Sequence, residues 1–226
     1  MLRVALIPFL CLCLPWSAMA AALPALVDDA EFAAKYAEIR ANPPQPGQVG
    51  DLIQWHLALA TAAGASRAHL LGERALRAAL LIAPAHPQLH ANLSVYLGKQ
   101  GRYQEALDEA ELAILLDPID TTHAEAVACS WMAKLGRAAE AKARFAAIAK
   151  PEELDRLSLY WGCAACFHAD LGEVAAAQAA IAEMLTTASS DERKQHSMQF
   201  LRRDPAFDRY RGEAWFIAIA GKTLAK

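Results

Sequence analysis

The chain has 226 residues, a formal net charge of −3 and 21% charged side chains, which suits one domain of ordinary size with an ample core. Much of its 55% hydrophobic content is alanine, which favours helix and close helix packing. There is no basic excess and no nucleic-acid-binding motif, so a nucleic-acid partner is not expected.

Residues 1–20 read as a secretory signal peptide. Arg3 supplies the positive start, Val4 to Trp16 a short apolar run, and Ala18-Met19-Ala20 a small-x-small cleavage site. The run holds Pro8 and Pro15 and is too short to span a bilayer. An uncleaved anchor is the alternative reading of the same segment. Cys11 and Cys13 have no small residues before them, so a lipoprotein site is not expected. Cleavage after Ala20, with Ala22 as second choice, places the mature chain in the periplasm of a Gram-negative-type bacterium, with no membrane span left.

Residues 21–52 hold a predicted short helix and a linker. Asp28 or Asp29 can cap a helix running to Arg40, with Phe32, Tyr36 and Ile39 on one face. Asn42-Pro43-Pro44-Gln45-Pro46-Gly47 then breaks any helix.

From residue 53 the chain repeats itself. The clearest unit is 87–120, where two amphipathic helical patterns meet at Gln100-Gly101-Arg102 and the second closes on Leu116-Asp117-Pro118. Ala106, Ala110 and Ala113, spaced four and three, share one face of that second helix and admit a close neighbour. The unit before it, 53–86, sets Gly72, Leu76 and Ala79 in the same places on a helix from about Arg67 to Ile82, and Pro84 stands where Pro118 does. In 122–155, Lys134-Leu135-Gly136-Arg137 echoes the turn, followed by Ala141, Phe145 and Ile148. In 158–191 the turn is Leu171-Gly172-Glu173, with Trp161 at the fourth position and Ala177, Ile181 and Met184 on the packing face.

This pattern resembles the tetratricopeptide repeat (TPR), a 34-residue helix–turn–helix unit with small or aromatic residues at fixed places and a terminal proline. The resemblance covers residues 53–191. It implies an all-α, right-handed TPR-like solenoid of four repeats that binds a protein or peptide segment in a concave groove. An unrelated helical bundle is the alternative, but bundles carry no fixed phase of this length.

Past the last repeat, residues 192–226 read as a C-terminal helical cap. Ser189 to Glu192 spells S-x-x-E, a capping box that predicts a polar, solvent-facing helix through about Arg203. Asp204-Pro205-Ala206-Phe207-Asp208-Arg209-Tyr210-Arg211 resembles the DP-x-F-D-x-L-R segment that closes many bacterial TPR arrays, with Tyr210 in place of the usual Leu. Trp215, Phe216, Ile217 and Ile219 are expected to fold back on the last helix.

Catalysis finds no support in the sequence. No G-x-S-x-G, H-E-x-x-H or phosphate-cradling glycine loop is present, no cofactor is implied, and Glu105, Asp108, Glu109 and Glu111 read as a solvated helix face. The cysteines past the signal peptide are Cys129, Cys163 and Cys166. Cys163-Ala164-Ala165-Cys166-Phe167-His168 lacks the His that haem attachment needs directly after the second Cys. Three readings of Cys163 and Cys166 stay open: small core fillers beside alanine, a strained i,i+3 disulfide, or part of a metal site with His168. A metal- or redox-handling accessory protein built around this pair is therefore the alternative function. His56 and His90 occupy matching fourth positions and read as half-buried packing residues, while His86 precedes a helix-starting Pro87.

The resemblance also names a groove, since in TPR arrays fixed positions of each first helix line the concave face. They fall on Gln54, Leu57, Thr61, Gly64 and Ala65, then Gln88, Ala91, Val95, Gly98 and Lys99. In the next two repeats they fall on His123, Ala126, Ser130, Ala133 and Lys134, then Leu159, Gly162, Cys166, Ala169 and Asp170. Lys99 and Lys134 sit at equivalent places, so a partner segment with an acidic group is expected there; the alternative is that both are ordinary solvated lysines. The carboxylate clamp of chaperone-binding TPR domains does not transfer, because Leu57 and Thr61 stand at its positions. The expected role is an adaptor or scaffold in envelope assembly, secretion or cofactor maturation.

Overall fold

A computed structural model of the chain describes residues 41, 49–65 and 68–221. The predicted signal peptide, the predicted helix over 28–40 and the Pro-rich linker lie outside the described residues. Every regular element among the described residues is helical. In order these are α1 (Val49–Ala65), α2 (His69–Ile82), α3 (Pro87–Lys99), α4 (Tyr103–Leu116), α5 (Thr122–Lys134) and α6 (Ala138–Ala146). Then come α7 (Leu154–Leu171), α8 (Val174–Thr187), α9 (Asp191–Arg203), a 3-10 helix (Pro205–Tyr210) and α10 (Ala214–Ala220). None of them is long and apolar enough to cross a membrane.

The helices pack as consecutive hairpins: α1 with α2, α3 with α4, α5 with α6, and α7 with α8. The second helix of one hairpin rests on the first helix of the next, α2 on α3 and α4 on α5. The first helices α3, α5 and α7 also touch in turn, so they form one layer. Boundaries depart from expectation in the last two hairpins. Helix α7 begins at Leu154, about one turn before the predicted start at 158. Helix α6 spans only nine residues, because Pro151 bars helix through Lys150 and the end has already tightened into i→i−3 bonds, Ala147 N–H to Arg144 O at 3.1 Å and Ile148 N–H to Phe145 O at 3.2 Å.

Three hairpins turn by one device. Gly101, Gly136 and Gly172 adopt φ of 80°, 83° and 78°, a left-handed conformation that costs a residue without Cβ nothing. After each glycine the next N–H reaches back to the carbonyl five residues before it: Arg102 to Leu97 O, Arg137 to Met132 O and Glu173 to His168 O, at 3.1, 2.9 and 2.9 Å. This is the Schellman closure, which satisfies carbonyls the helix leaves open.

The core runs continuously through the hairpins, with Leu76, Leu89, Leu93, Leu97, Met132, Phe167 and Ile181 fully buried. Ala106, Ala110 and Ala113 are buried as well. Aromatic rings lock adjacent helices over glycines. Tyr96 lies over Gly72 and donates its hydroxyl to Ala60 O, and Trp131 lies over Gly98 so closely that a methyl group there would overlap the indole. In the third and fourth hairpins Phe145 stacks on Phe167 with ring centroids 4.5 Å apart.

The C-terminal segment differs from a plain end cap. Helix α9 is capped by Ser190, whose side chain accepts the Arg193 N–H at 3.2 Å, so the start lies one residue past the predicted capping box at Ser189. The two adjacent serines both fit the sequence rule, and Ser190 has the extended backbone of a cap. The 3-10 helix packs on α7, with Tyr210 Oη donating to Ala169 O at 3.0 Å and the Arg209 guanidinium donating to the same carbonyl. Phe207 and Phe216 are fully buried and stacked at 5.7 Å, which places α10 back on the segment, while Ile217 remains partly exposed.

Candidate functional site

The layer of first helices and the C-terminal segment enclose a cavity of 680 Å³. Its floor is Val95, Gly98 and Lys99 of α3, His123, Val127, Ser130, Trp131 and Lys134 of α5, and Ser158, Leu159, Gly162, Cys163, Cys166 and Asp170 of α7. Met184 closes it from α8, and Glu192, Arg193, His196, Ser197 and Phe200 of α9 form the facing wall, continued by Asp204 to Ala206. The volume lies in the range of small-ligand and peptide sites.

Of the residues expected in a groove, Val95, Lys99, His123, Ser130, Lys134, Cys166 and Asp170 are brought together here, along with Gly98, Leu159 and Gly162. Others are not. Gln54 and Gln88 are exposed outside the cavity, and Leu57 packs against the core. Ala91 is buried in a small cluster with Ala113 and Ala124. Ala126 and Ala169 are fully buried in the core. Thr61, Gly64 and Ala65 belong to α1, but their side chains are outside those described. The cavity is thus centred on the last three hairpins. The resemblance did not name Trp131, Met184 or the α9 wall. Cys163 was within reach of sequence reasoning, since it lies one helical turn before Cys166 and so shares its face.

Neither lysine is an ordinary solvated residue. Lys99 Nζ lies 2.9 Å from Asp204 Oδ2, and Lys134 Nζ lies 2.7 Å from Asp170 Oδ1. Burial pushes the Lys99 ammonium down, but the Asp204 charge and its hydrogen bond outweigh that and raise it above the ordinary lysine value. Burial pushes the Asp170 carboxyl up, and Lys134 only partly offsets this. Asp204 is itself 7% exposed, and its Oδ1 accepts the Ala206 N–H at 3.0 Å, so one carboxylate both caps the 3-10 helix and holds Lys99.

The thiols, the His123 imidazole and the hydroxyls of the floor are neutral. Burial pushes the Cys163 thiol up to about 12 and the Cys166 thiol well above the usual cysteine value, which removes the thiolate a nucleophile needs. Burial lowers the His123 imidazole and keeps it neutral. The hydroxyls serve the backbone: Ser130 Oγ donates to Ala126 O at 3.2 Å and Ser158 Oγ to Met184 O at 3.3 Å. Such a cavity offers apolar side chains such as Val95, Val127, Leu159 and Met184, a largely polar wall on α9, and two charge pairs that a ligand can exchange with.

The sulfur and imidazole groups considered as a metal site do not converge. Cys163 and Cys166 face the cavity as unbridged thiols, whereas His168 Nδ1 meets Glu173 Oε2 at 2.7 Å and its ring stands against Phe145 and Phe167. No three His, Cys, Asp or Glu side chains among the described residues form a metal-binding group. Cys129, on α5, is fully buried in the core, as a core filler is. The carboxylates of α4 are not merely solvated either: Glu105 pairs with Arg102, Glu109 meets His90 Nδ1 at 2.6 Å, Glu111 pairs with Arg144, and Asp108 accepts from Gln104. No protein-family model, curated protein or solved structure matches the chain.

Proposed function

We propose that the chain is an exported binding protein, a right-handed TPR-like solenoid that holds a segment of a partner protein in the cavity between its first helices and α9. The observation that carries this reading is the cavity itself: residues from α3, α5 and α7, each on a successive hairpin, meet at one 680 Å³ space furnished for binding. Both lysines on its floor are paired and its thiols are protonated, so it favours recognition over turnover. The three equivalent glycine turns, 35 and 36 residues apart, support the repeat reading. Export rests on the Arg3–Ala20 pattern, and the role that follows is an adaptor or scaffold in envelope assembly, secretion or cofactor maturation. A partner's acidic group binds at Lys99 or Lys134 by exchanging with Asp204 or Asp170.

Charge reversal at either lysine would set two carboxylates together and confuse binding with stability, so Leu159 is the better probe. It lines the cavity yet is 51% exposed, and Arg there is solvated rather than forced into the core. Affinity capture from envelope extracts with the tagged chain should recover a defined partner that Leu159→Arg loses. Leu115→Arg, at an exposed site outside the cavity, should retain it. Equal capture by both variants would exclude the cavity as the binding surface. Terminal sequencing of the recovered bait should begin at Ala21 or within two residues of it; an intact Met1 would overturn export.

A further inference from the structure

We infer that α9 is a movable wall of the cavity and that the Lys99–Asp204 ion pair is its latch, so that this chain's own carboxylate occupies the place a partner's acidic group would take. This rests on the cavity being the binding site. The observation is an asymmetry between the two charge pairs. Lys134–Asp170 joins α5 to α7, which pack directly on each other, so that pair belongs to the fixed floor. Lys99–Asp204 instead joins α3 of the second hairpin to the far end of α9, across the cavity.

Helix α9 is built to be held by such a contact. Residues 191–196 are all exposed, and Leu201 is the one α9 side chain that is buried. The residues it turns to the cavity over its first two turns, Glu192, Arg193, His196 and Ser197, are polar and face a floor of Gly162, Cys163 and Cys166. Apolar packing that would fix the helix is thus confined to its second half, through Met198, Phe200 and Leu201. An element with few buried apolar side chains opens at low free energy. A ligand carboxylate that takes Lys99 replaces Asp204 with like chemistry, so binding and opening are coupled through one ammonium group. Weakening the latch then raises partner affinity, because a larger share of the molecules is already open.

Cys163 and Cys166 are built-in reporters of opening, since they lie on the floor opposite α9, and Cys129, fully buried elsewhere, reports global unfolding. The full mature chain is treated with N-ethylmaleimide, and the labelling rate of each cysteine is read by mass spectrometry. Asp204→Asn keeps a side-chain oxygen for the 3-10 cap and removes the charge. It should raise the Cys163 and Cys166 rates by about tenfold or more, the scale set by losing one charged hydrogen bond from a closed state, while Cys129 stays unlabelled. Lys134→Gln should leave the rates near wild type. The Asp204 charge holds both thiols up and Lys99 draws them down, so the double variant Lys99→Met/Asp204→Asn, which removes both and leaves no lone buried Lys99, is labelled alongside and should give the same rise. Unchanged rates in the folded latch variant overturn the latch, as does an equal rise in Lys134→Gln or labelling of Cys129 in step with the other two. The measurement needs no partner. A rise in labelling alongside Leu159→Arg capture equal to wild type would therefore sink the binding site and leave the mobile wall standing.

Discussion

Ser94 joins three helices through one hydroxyl: its Oγ donates to Ala106 O of α4 at 2.6 Å and accepts the Trp131 indole N–H of α5 at 2.9 Å. The indole is fixed on its other sides by Gly98 beneath it and Tyr103 stacked at 6.1 Å, so it cannot swing out to find another acceptor. Ser94→Ala leaves that N–H buried and unpaired, while the Ala106 carbonyl keeps its bond within α4, a loss of about 1–3 kcal/mol. Urea denaturation at pH 7.5 should show it as a lower midpoint with unchanged slope; an unmoved midpoint would mean the indole has another partner. A contact of this kind is invisible in sequence, because Ser94 and Trp131 are 37 positions apart and neither belongs to a motif. The same limit hid Asp204 from Lys99. The spacing placed Lys99 and Lys134 at equivalent points of two turns, but a charge is free or paired according to what a remote segment delivers to it.

At the scale of the element, what could be read in advance was whatever depends on periodicity. Small residues at Ala106, Ala110 and Ala113 marked the packing face of α4, and the glycines at the hairpin turns marked where the first helices stop. Both are local consequences of backbone geometry, which sequence spacing encodes directly. The ends of α6 and the start of α7 were not legible, since they depend on how far Pro151 reaches back and on α7 extending one turn to pack on α5. The role of α9 was misread for a related reason. Its polarity is that of a solvent-facing cap, and one of its polar faces turns inward to a cavity instead. The packing face of α4 gives a direct test. Ala110 is fully buried, and Ala110→Leu inserts three heavy atoms into a space already filled, which should cost about 1–3 kcal/mol through overpacking. Thermal denaturation followed by circular dichroism should report a lower Tm with native helicity retained at 20 °C; a wild-type Tm would show that α4 has room on that face.

For the molecule as a whole, the acid limb of stability follows from which buried groups must change charge. His56 and His90 occupy matching positions of the first two hairpins but meet different surroundings. His90 is held by Glu109 and by Pro84 O at 2.8 Å, whereas the buried Nδ1 of His56 meets no hydrogen-bond partner among the described residues. Burial lowers the His56 pKa to about 4, so the folded state keeps it neutral while the unfolded chain protonates it near 6.5. A base depressed in this way contributes stability that is fully present above the unfolded value and is lost as pH falls from 6.5 toward 4. For a residue 5% exposed that loss amounts to up to about 3 kcal/mol. Glu73 enters later in the same direction. Burial pushes its carboxyl up, but hydrogen bonds from Arg77, Gln100 and Arg102 prevail and hold it below the ordinary value, so its contribution is lost only as pH falls below 4.5. Asp170 has the opposite sign, because a raised carboxyl favours the folded state at low pH, and Lys99 titrates far above this window. His123, also lowered by burial, acts with His56. His56→Leu should therefore leave stability near wild type at pH 7.5 and recover about half of the loss between pH 6.5 and 4.5, with His123 supplying the rest and Glu73 entering only below that window. Urea midpoints at pH 7.5, 6, 5 and 4.5 read the difference. Parallel pH curves for the variant and wild type would show that His56 is protonated in the folded protein, and that the acid limb arises elsewhere in the chain.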